Sequence, residues 1–153
     1  YPLEIFEAIK SVIPSDVALG ARISGSDWVE GGLDPEEMII FARELETRGC
    51  HFVDVTSGQL DARQQIKLAP GFNLPFSKKV KIETKMAAMG VGMITTPIQA
   101  EEAIETGSAD LIAIARGALD DPRWAWHAAK ELNVDLESYT PNYQRCHPTV
   151  WKR

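Results

Sequence analysis

Cysteine, histidine and long apolar runs are all scarce in this sequence, and each shortage closes off a class of protein. The two cysteines, Cys50 and Cys146, lie far apart. They fit neither a disulfide framework nor the paired spacing of a zinc site, so a reducing cytoplasm is the expected compartment. Only three histidines are present. His51 sits just before a strand and His127 on a helix with Trp124 and Trp126, and both read as structural. Cys146-His147 has no ordered acidic partner, and no Ser-His-Asp spacing is visible. No apolar run approaches the ~20 residues that span a bilayer. Glu4, Glu7 and Lys10 interrupt the first apolar positions, unlike a signal peptide. Basic residues are also in deficit, 16 against 22 acidic, for a net charge of −6. That balance argues against nucleic acid and against an anionic membrane surface. The chain opens on Tyr1 in place of Met, which reads as a piece of something longer.

What remains is an ordinary globular mixture, 44% hydrophobic and 25% charged over 153 residues. A domain of that size buries roughly 70% of its unfolded surface, so disorder and low complexity are poor readings. Ile5, Ala8, Ile9 and Val12 repeat at helical spacing and predict a helix over 2–13. Residues 17–24 are short and mostly apolar and read as a strand buried on both faces, as in a parallel sheet covered by helices. Asp34-Pro35 opens a second helix with Met38, Ala42 and Leu45 as its stripe, and Gly49 ends it. A strand follows at 52–57, then a long irregular stretch and a short helix over 74–80. A third strand is predicted over 85–93. Thr96-Pro97, with Gln99 completing a capping box, opens the next helix. A fourth strand is predicted over 110–115, and Asp121-Pro122 opens the last helix, which ends near Asn133. Residues 1–137 therefore form a helix and four βα units; 138–153 form a tail.

Alternating βα units imply an α/β fold with a parallel sheet. Four strands suit a small open sheet. They are also half of a TIM (βα)8 barrel, which needs ~250 residues. Periodicity does not separate the two.

Function in such folds gathers at the C-terminal ends of the strands. Arg22 lies near the end of the first strand, on a face shared with Ala18, Gly20 and Ser24. It reads either as a fixed positive charge for an anionic group or as the partner of a core carboxylate such as Asp54. Gly90-Val91-Gly92-Met93 is a glycine turn running into a helix, suited to close backbone approach to a phosphate. Taken alone it is also an ordinary strand-to-helix turn. Ala115-Arg116 ends the fourth strand and reads as an anion clamp or a solvated arginine. In a complete barrel the loops after the last two strands commonly hold phosphate, which would give both features one explanation. The 57–73 stretch exceeds a routine βα connection and reads as a binding loop or an insertion. The loop after the first strand, with Asp27 and Trp28, reads as a site rim or as surface packing.

Four stretches in order carry a resemblance across nearly the whole chain: Ala21-Arg22-Ile23-Ser24-Gly25-Ser26-Asp27, Phe52-Val53-Asp54-Val55-Thr56-Ser57-Gly58, Gly90-Val91-Gly92-Met93-Ile94-Thr95, and Ala109-Asp110-Leu111-Ile112-Ala113-Ile114-Ala115-Arg116 followed by Asp121-Pro122. The set resembles the C-terminal half of the old yellow enzyme family, in its thermophilic-like bacterial ene-reductase branch. The resemblance implies strands five to eight of a TIM barrel that binds FMN and takes hydride from NADPH or NADH. The hydride would pass to an activated alkene such as an α,β-unsaturated carbonyl. Arg22 then matches the arginine at the N1/C2 carbonyl edge of the flavin. Gly92, Met93, Ala115 and Arg116 match the phosphate cradle, with Ala115 in place of the usual glycine. Tyr143-Gln144-Arg145 resembles the segment whose arginine reaches a neighbouring subunit, implying a homo-oligomer, although Cys146-His147-Pro148 is not the usual ending.

The family's substrate-anchoring His pair or His/Asn pair, and its tyrosine proton donor, have no counterpart in this half. No catalytic residue is assignable, the expected partner is the other half of the barrel, and the 153 residues alone are expected to be inactive. Two other readings stand beside this one. One is half of a non-redox phosphate-binding barrel, for which no lysine or carboxylate at a strand end is convincing. The other is a self-associating half-barrel without activity.

Overall fold

A side chain can set a helix start by satisfying the unpaired N–H groups of the first turn. In the computed structural model, which describes residues 1–135 and 141–146, two of the three predicted starts behave this way. Asp34 accepts from the N–H groups of Glu36 and Glu37 at 2.8 and 2.9 Å, and Glu37 returns to the Asp34 N–H, starting α2 (Pro35–Thr47). Thr96 and Gln99 form the same reciprocal box ahead of α4 (Pro97–Glu105). The third differs. A short helix not read from the sequence, α5 (Arg116–Asp120), precedes the Asp121-Pro122 pair, and α6 begins later, at Trp124–Glu131. Asp121 accepts from the Arg123 N–H at 2.9 Å and pairs with His127 Nδ1 at 2.5 Å. Its carboxylate is spent on that turn, so it does not cap α6. His127 consequently faces solvent with a carboxylate partner; it is not packed between helices. The remaining helices are α1 (Pro2–Lys10) and α3 (Leu74–Glu83), with a short 3-10 turn at Pro141–Cys146.

The strands are β1 (Gly20–Ser24), β2 (Phe52–Thr56), β3 (Ala87–Gly90) and β4 (Leu111–Ile112). They form one parallel sheet in the order β1-β2-β3-β4. All but β2 are clearly shorter than their apolar runs suggest. Val17 and Ala18 are exposed and lie before the paired register, which starts at Gly20↔Phe52. The β4 ladder closes after Gly90↔Ile112.

Burial alternates along the strands, and this corrects the expectation of a first strand covered on both faces. Ile23, Val53, Val55 and Ala88 point to the helices and are buried against Met38, Ala42 and Leu45 of α2 and Phe76 and Val80 of α3. Arg22, Asp54, Thr56, Met89 and Leu111 occupy the opposite face and are half-buried or exposed among the described residues. One sheet face therefore holds the core, and the other, which carries Arg22, Asp54 and Thr56 beside Phe52, Met89 and Leu111, is open.

Leu45 is 1% exposed at the centre of that core. Replacing it with alanine removes buried methylenes and leaves a cavity, so Leu45→Ala should cost ~2–5 kcal/mol in urea unfolding. Ile40→Ala, on the solvent side of the same helix, should cost less than about 0.5 kcal/mol.

Asp110 extends the ladder where β4 is too short to do so. Its Oδ2 accepts from the Ala88 N–H at 2.9 Å, its own N–H donates to the Ala88 carbonyl at 2.7 Å, and its Oδ1 pairs with Lys81 Nζ at 2.6 Å. Partial burial alone would raise the carboxyl pKa, but the Ala88 N–H and the Lys81 ammonium outweigh it and hold it below the usual range. A depressed folded-state pKa adds stability that is present above the unfolded value of about 3.9 and lost as pH falls through the folded one. Stability of the wild type should thus decline in that acid window, and Asp110→Asn should flatten the decline in a pH series of urea midpoints.

Candidate functional site

A cleft of about 460 Å³ opens at the C-terminal ends of β2, β3 and β4. Parallel pairing puts the segments after these strands on one rim. Thr56 and Ser57 come from the end of β2, Gly92 and Met93 from the turn after β3, and Ala115 and Arg116 from the start of α5. The cleft thus brings together four of the predicted site residues: Gly92, Met93, Ala115 and Arg116.

The turn after β3 has the backbone of an anion cradle. Gly92 takes φ +114° and Met93 φ +53°. A Cβ on Gly92 would lie 3.0 Å from Asn73 Nδ2 and 3.0 Å from Phe72 Cε1, so both the conformation and the space favour glycine. The Gly71 N–H donates to the Gly92 carbonyl at 2.8 Å and turns that oxygen away from the cleft's donors. Among the described residues, the N–H groups of Gly92, Met93, Ala115 and Arg116 reach no backbone carbonyl or side-chain acceptor. Arg116 and Ala115 are exposed at the mouth. Free N–H groups, a glycine that admits close approach and a cation on the rim suit a phosphate-sized anion.

Arg22 does not line this cleft. It stands on β1 directly opposite Asp54 of β2, and its Nη1 donates to Asp54 Oδ2 at 2.5 Å. The carboxylate pairing considered for it is therefore present. The arginine side chain is still 58% exposed on the open sheet face. Strands lie about 4.8 Å apart, so β1 and β4 are separated by roughly 14 Å of sheet. A ligand with one end in the cleft must run along the sheet to meet Arg22. Arg145 is exposed on the 3-10 turn and is not among the cleft residues. Tyr143 of that turn packs edge-on against Trp126, and the Arg123 guanidinium lies 5.8 Å from both ring centroids. His147 lies outside the described residues.

A buried polar relay beneath the cleft has no individual mark in the sequence. Trp28 Nε1 donates to Ser57 Oγ at 2.8 Å, and Ser57 Oγ donates to Asn73 Oδ1 at 2.5 Å. Ser57 and Asn73 are 6% and 2% exposed. Asn73 precedes α3 but makes no side-chain cap, because its amide is turned to this relay. The available signal was the presence of two long loops, one read as a binding loop or an insertion and the other as a site rim or surface packing. The 57–73 stretch is irregular, but it is tied to the loop after β1 through Gly58 N–H to Ser26 O and Gln65 N–H to Trp28 O, at 3.0 and 2.9 Å.

Among the described residues no group of His, Cys, Asp and Glu could hold a metal ion, both cysteines are free, and no helix is long and apolar enough to cross a membrane. In fold, the chain is similar to 2-naphthoyl-CoA reductase in complex with 2-naphthoyl-CoA, with a TM-score of 0.78 at 23% identity over 85% of this chain and 20% of that one. In sequence, it is 39% identical over 135 residues to an NADPH dehydrogenase of Bacillus velezensis and 36% identical over 142 residues to one of Geobacillus sp. (strain WCH70). These matches cover 88% and 93% of this chain but 39% and 41% of the relatives, so the chain spans about two-fifths of their length. The NADH:flavin oxidoreductase / NADH oxidase family matches residues 1–135, and the chain belongs to that family.

Proposed function

We propose that this chain forms strands five to eight of a (βα)8 barrel, and that the assembled protein is an FMN-dependent ene-reductase using NADPH or NADH. The observation that supports it most is the cleft itself. The turns after the last two strands converge there with a positive-φ glycine, free N–H groups and an arginine. That is where a complete barrel commonly binds phosphate. The open sheet face, with edges at β1 and β4, fits a barrel lumen completed by four further βα units. The names of the relatives favour NADPH as reductant. The same reading makes the protein a cytoplasmic homo-oligomer in which Arg145 serves a neighbouring subunit.

Bound FMN would supply hydride transfer from the nicotinamide to an activated alkene such as an enone. This chain's residues hold and bias it. The backbone N–H groups of Gly92, Met93, Ala115 and Arg116 would donate to the phosphate oxygens, and the Arg116 guanidinium would neutralise their charge. Arg22, on the sheet face, stabilises negative charge at the ring edge. The substrate anchor comes from the other half of the barrel.

Comparing FMN with riboflavin in fluorescence titrations isolates the phosphate grip. Arg116→Gln should weaken FMN binding by roughly 10- to 100-fold, the range for a hydrogen bond to a charged group, and riboflavin binding far less. Equal losses for the two ligands, or no FMN binding by the wild type, would overturn the assignment. Gly92→Ala should cost about 1–3 kcal/mol of stability from its backbone conformation and should weaken FMN in the same titration. The 153 residues alone, given FMN, NADPH and an enone, should show no turnover; robust reduction would show that the substrate anchor is already present.

A further inference from the structure

Asp54 is an unexpected residue for its position. It lies mid-strand in β2 with its side chain only 13% exposed, and its neighbours in the strand are Val53 and Val55. One oxygen, Oδ2, is committed to Arg22 Nη1. The other, Oδ1, is the one buried side-chain polar atom without a hydrogen-bond partner among the described residues. The ion pair adds little to the stability of the sheet, because Arg22 is largely exposed to solvent while the mostly buried Asp54 has an incomplete hydrogen-bond shell. The stability of the sheet therefore does not explain the carboxylate. Its geometry toward Arg22 does.

The two residues are register partners on adjacent parallel strands and point to the same face. Around them on that face stand Ser24 and Thr56 toward the strand ends, and Phe52 and Met89 beside the pair, with the Phe52 ring over Gly20. Among the described residues, the one side-chain hydrogen bond that fixes the Arg22 guanidinium is the bond to Asp54. The guanidinium has five N–H donors, and one edge is engaged by the carboxylate. The exposed remainder is presented to the open face. Thr56, two residues beyond Asp54 on the same face and so roughly 6.6 Å along the strand, lines the cleft. The carboxylate that holds Arg22 thus lies one pleat repeat along β2 from a cleft residue.

We propose that Asp54 is a positioning residue for Arg22. It locks the guanidinium in one orientation over the sheet and, as a neighbouring negative charge, limits how strongly Arg22 stabilises the reduced, electron-rich flavin ring. The second effect rests on the FMN reading above; the first rests on the geometry alone.

Two measurements separate them. The side-chain Nε–H resonance of Arg22 reports its order without flavin. It should be distinct in the wild type, collapse to the position of a free arginine in Asp54→Asn, and recover at least partly in Asp54→Glu. An Arg22 resonance unchanged in Asp54→Asn would overturn the positioning role. If Asp54→Asn does not fold, Asp54→Ser is read in the same way. In the FMN-loaded protein, Asp54→Asn should raise the flavin midpoint potential, so that reduced FMN is bound roughly tenfold more tightly relative to oxidised FMN than in the wild type. A loss of thermal stability with the potential unchanged would overturn the tuning effect and leave Asp54 structural. A responding Arg22 resonance in a protein that binds no FMN would overturn the FMN reading and leave the positioning role standing.

Discussion

Parallel pairing of β1 through β4 is the constraint on which the rest of the molecule depends. It sends every strand's C-terminus to one rim and obliges every return connection to cross a sheet face. The helices α2, α3 and α4 make those crossings, and the first two bury Val53, Val55 and Ala88 beneath Met38, Leu45 and Val80. Because side chains alternate along a strand, burying one face in this way fixes which residues occupy the other. Arg22, Asp54 and Thr56 are on the open face as a consequence of where their neighbours are buried.

The rim then concentrates chemistry that is dispersed in the chain. Gly92 and Arg116 are distant in sequence and belong to separate turns, yet both border one cleft. A buried relay ties the cleft's walls together from beneath. The Trp28–Ser57–Asn73 relay joins the loop after β1, the end of β2 and the start of α3. The loops that would otherwise move most are therefore held at their bases by buried hydrogen bonds, which are costly to break where no water can replace them.

Much of the architecture could be read locally. Asp34-Pro35 and Thr96-Pro97 start helices because the short polar side chain accepts from first-turn N–H groups and proline is preset for the first helical position. Gly92 was legible as a close-approach glycine from its place after an apolar run. Asp121-Pro122 shows the limit of such rules. The same pair does not cap α6 because the Asp121 carboxylate is engaged by His127 and the Arg123 N–H. The relay was illegible for a related reason: serine and asparagine acquire meaning only from the tryptophan and the loops that surround them in space. The strands were overestimated because apolar composition says nothing about where a neighbouring strand begins and ends.

By itself the sequence determined the alternation of strands and helices, the caps and the identity of the residues at strand ends. These are properties of chemistry within one or two turns of chain, with the hydrophobic period adding which side is apolar. Tertiary structure alone decided that Arg22 faces Asp54, that one carboxylate oxygen is left unpartnered, and that Gly92, Met93, Ala115 and Arg116 share a cleft while Arg22 stands apart from it. Each of those facts depends on the register and order of strands distant in the chain, and register is set by the packing of the whole sheet against its helices.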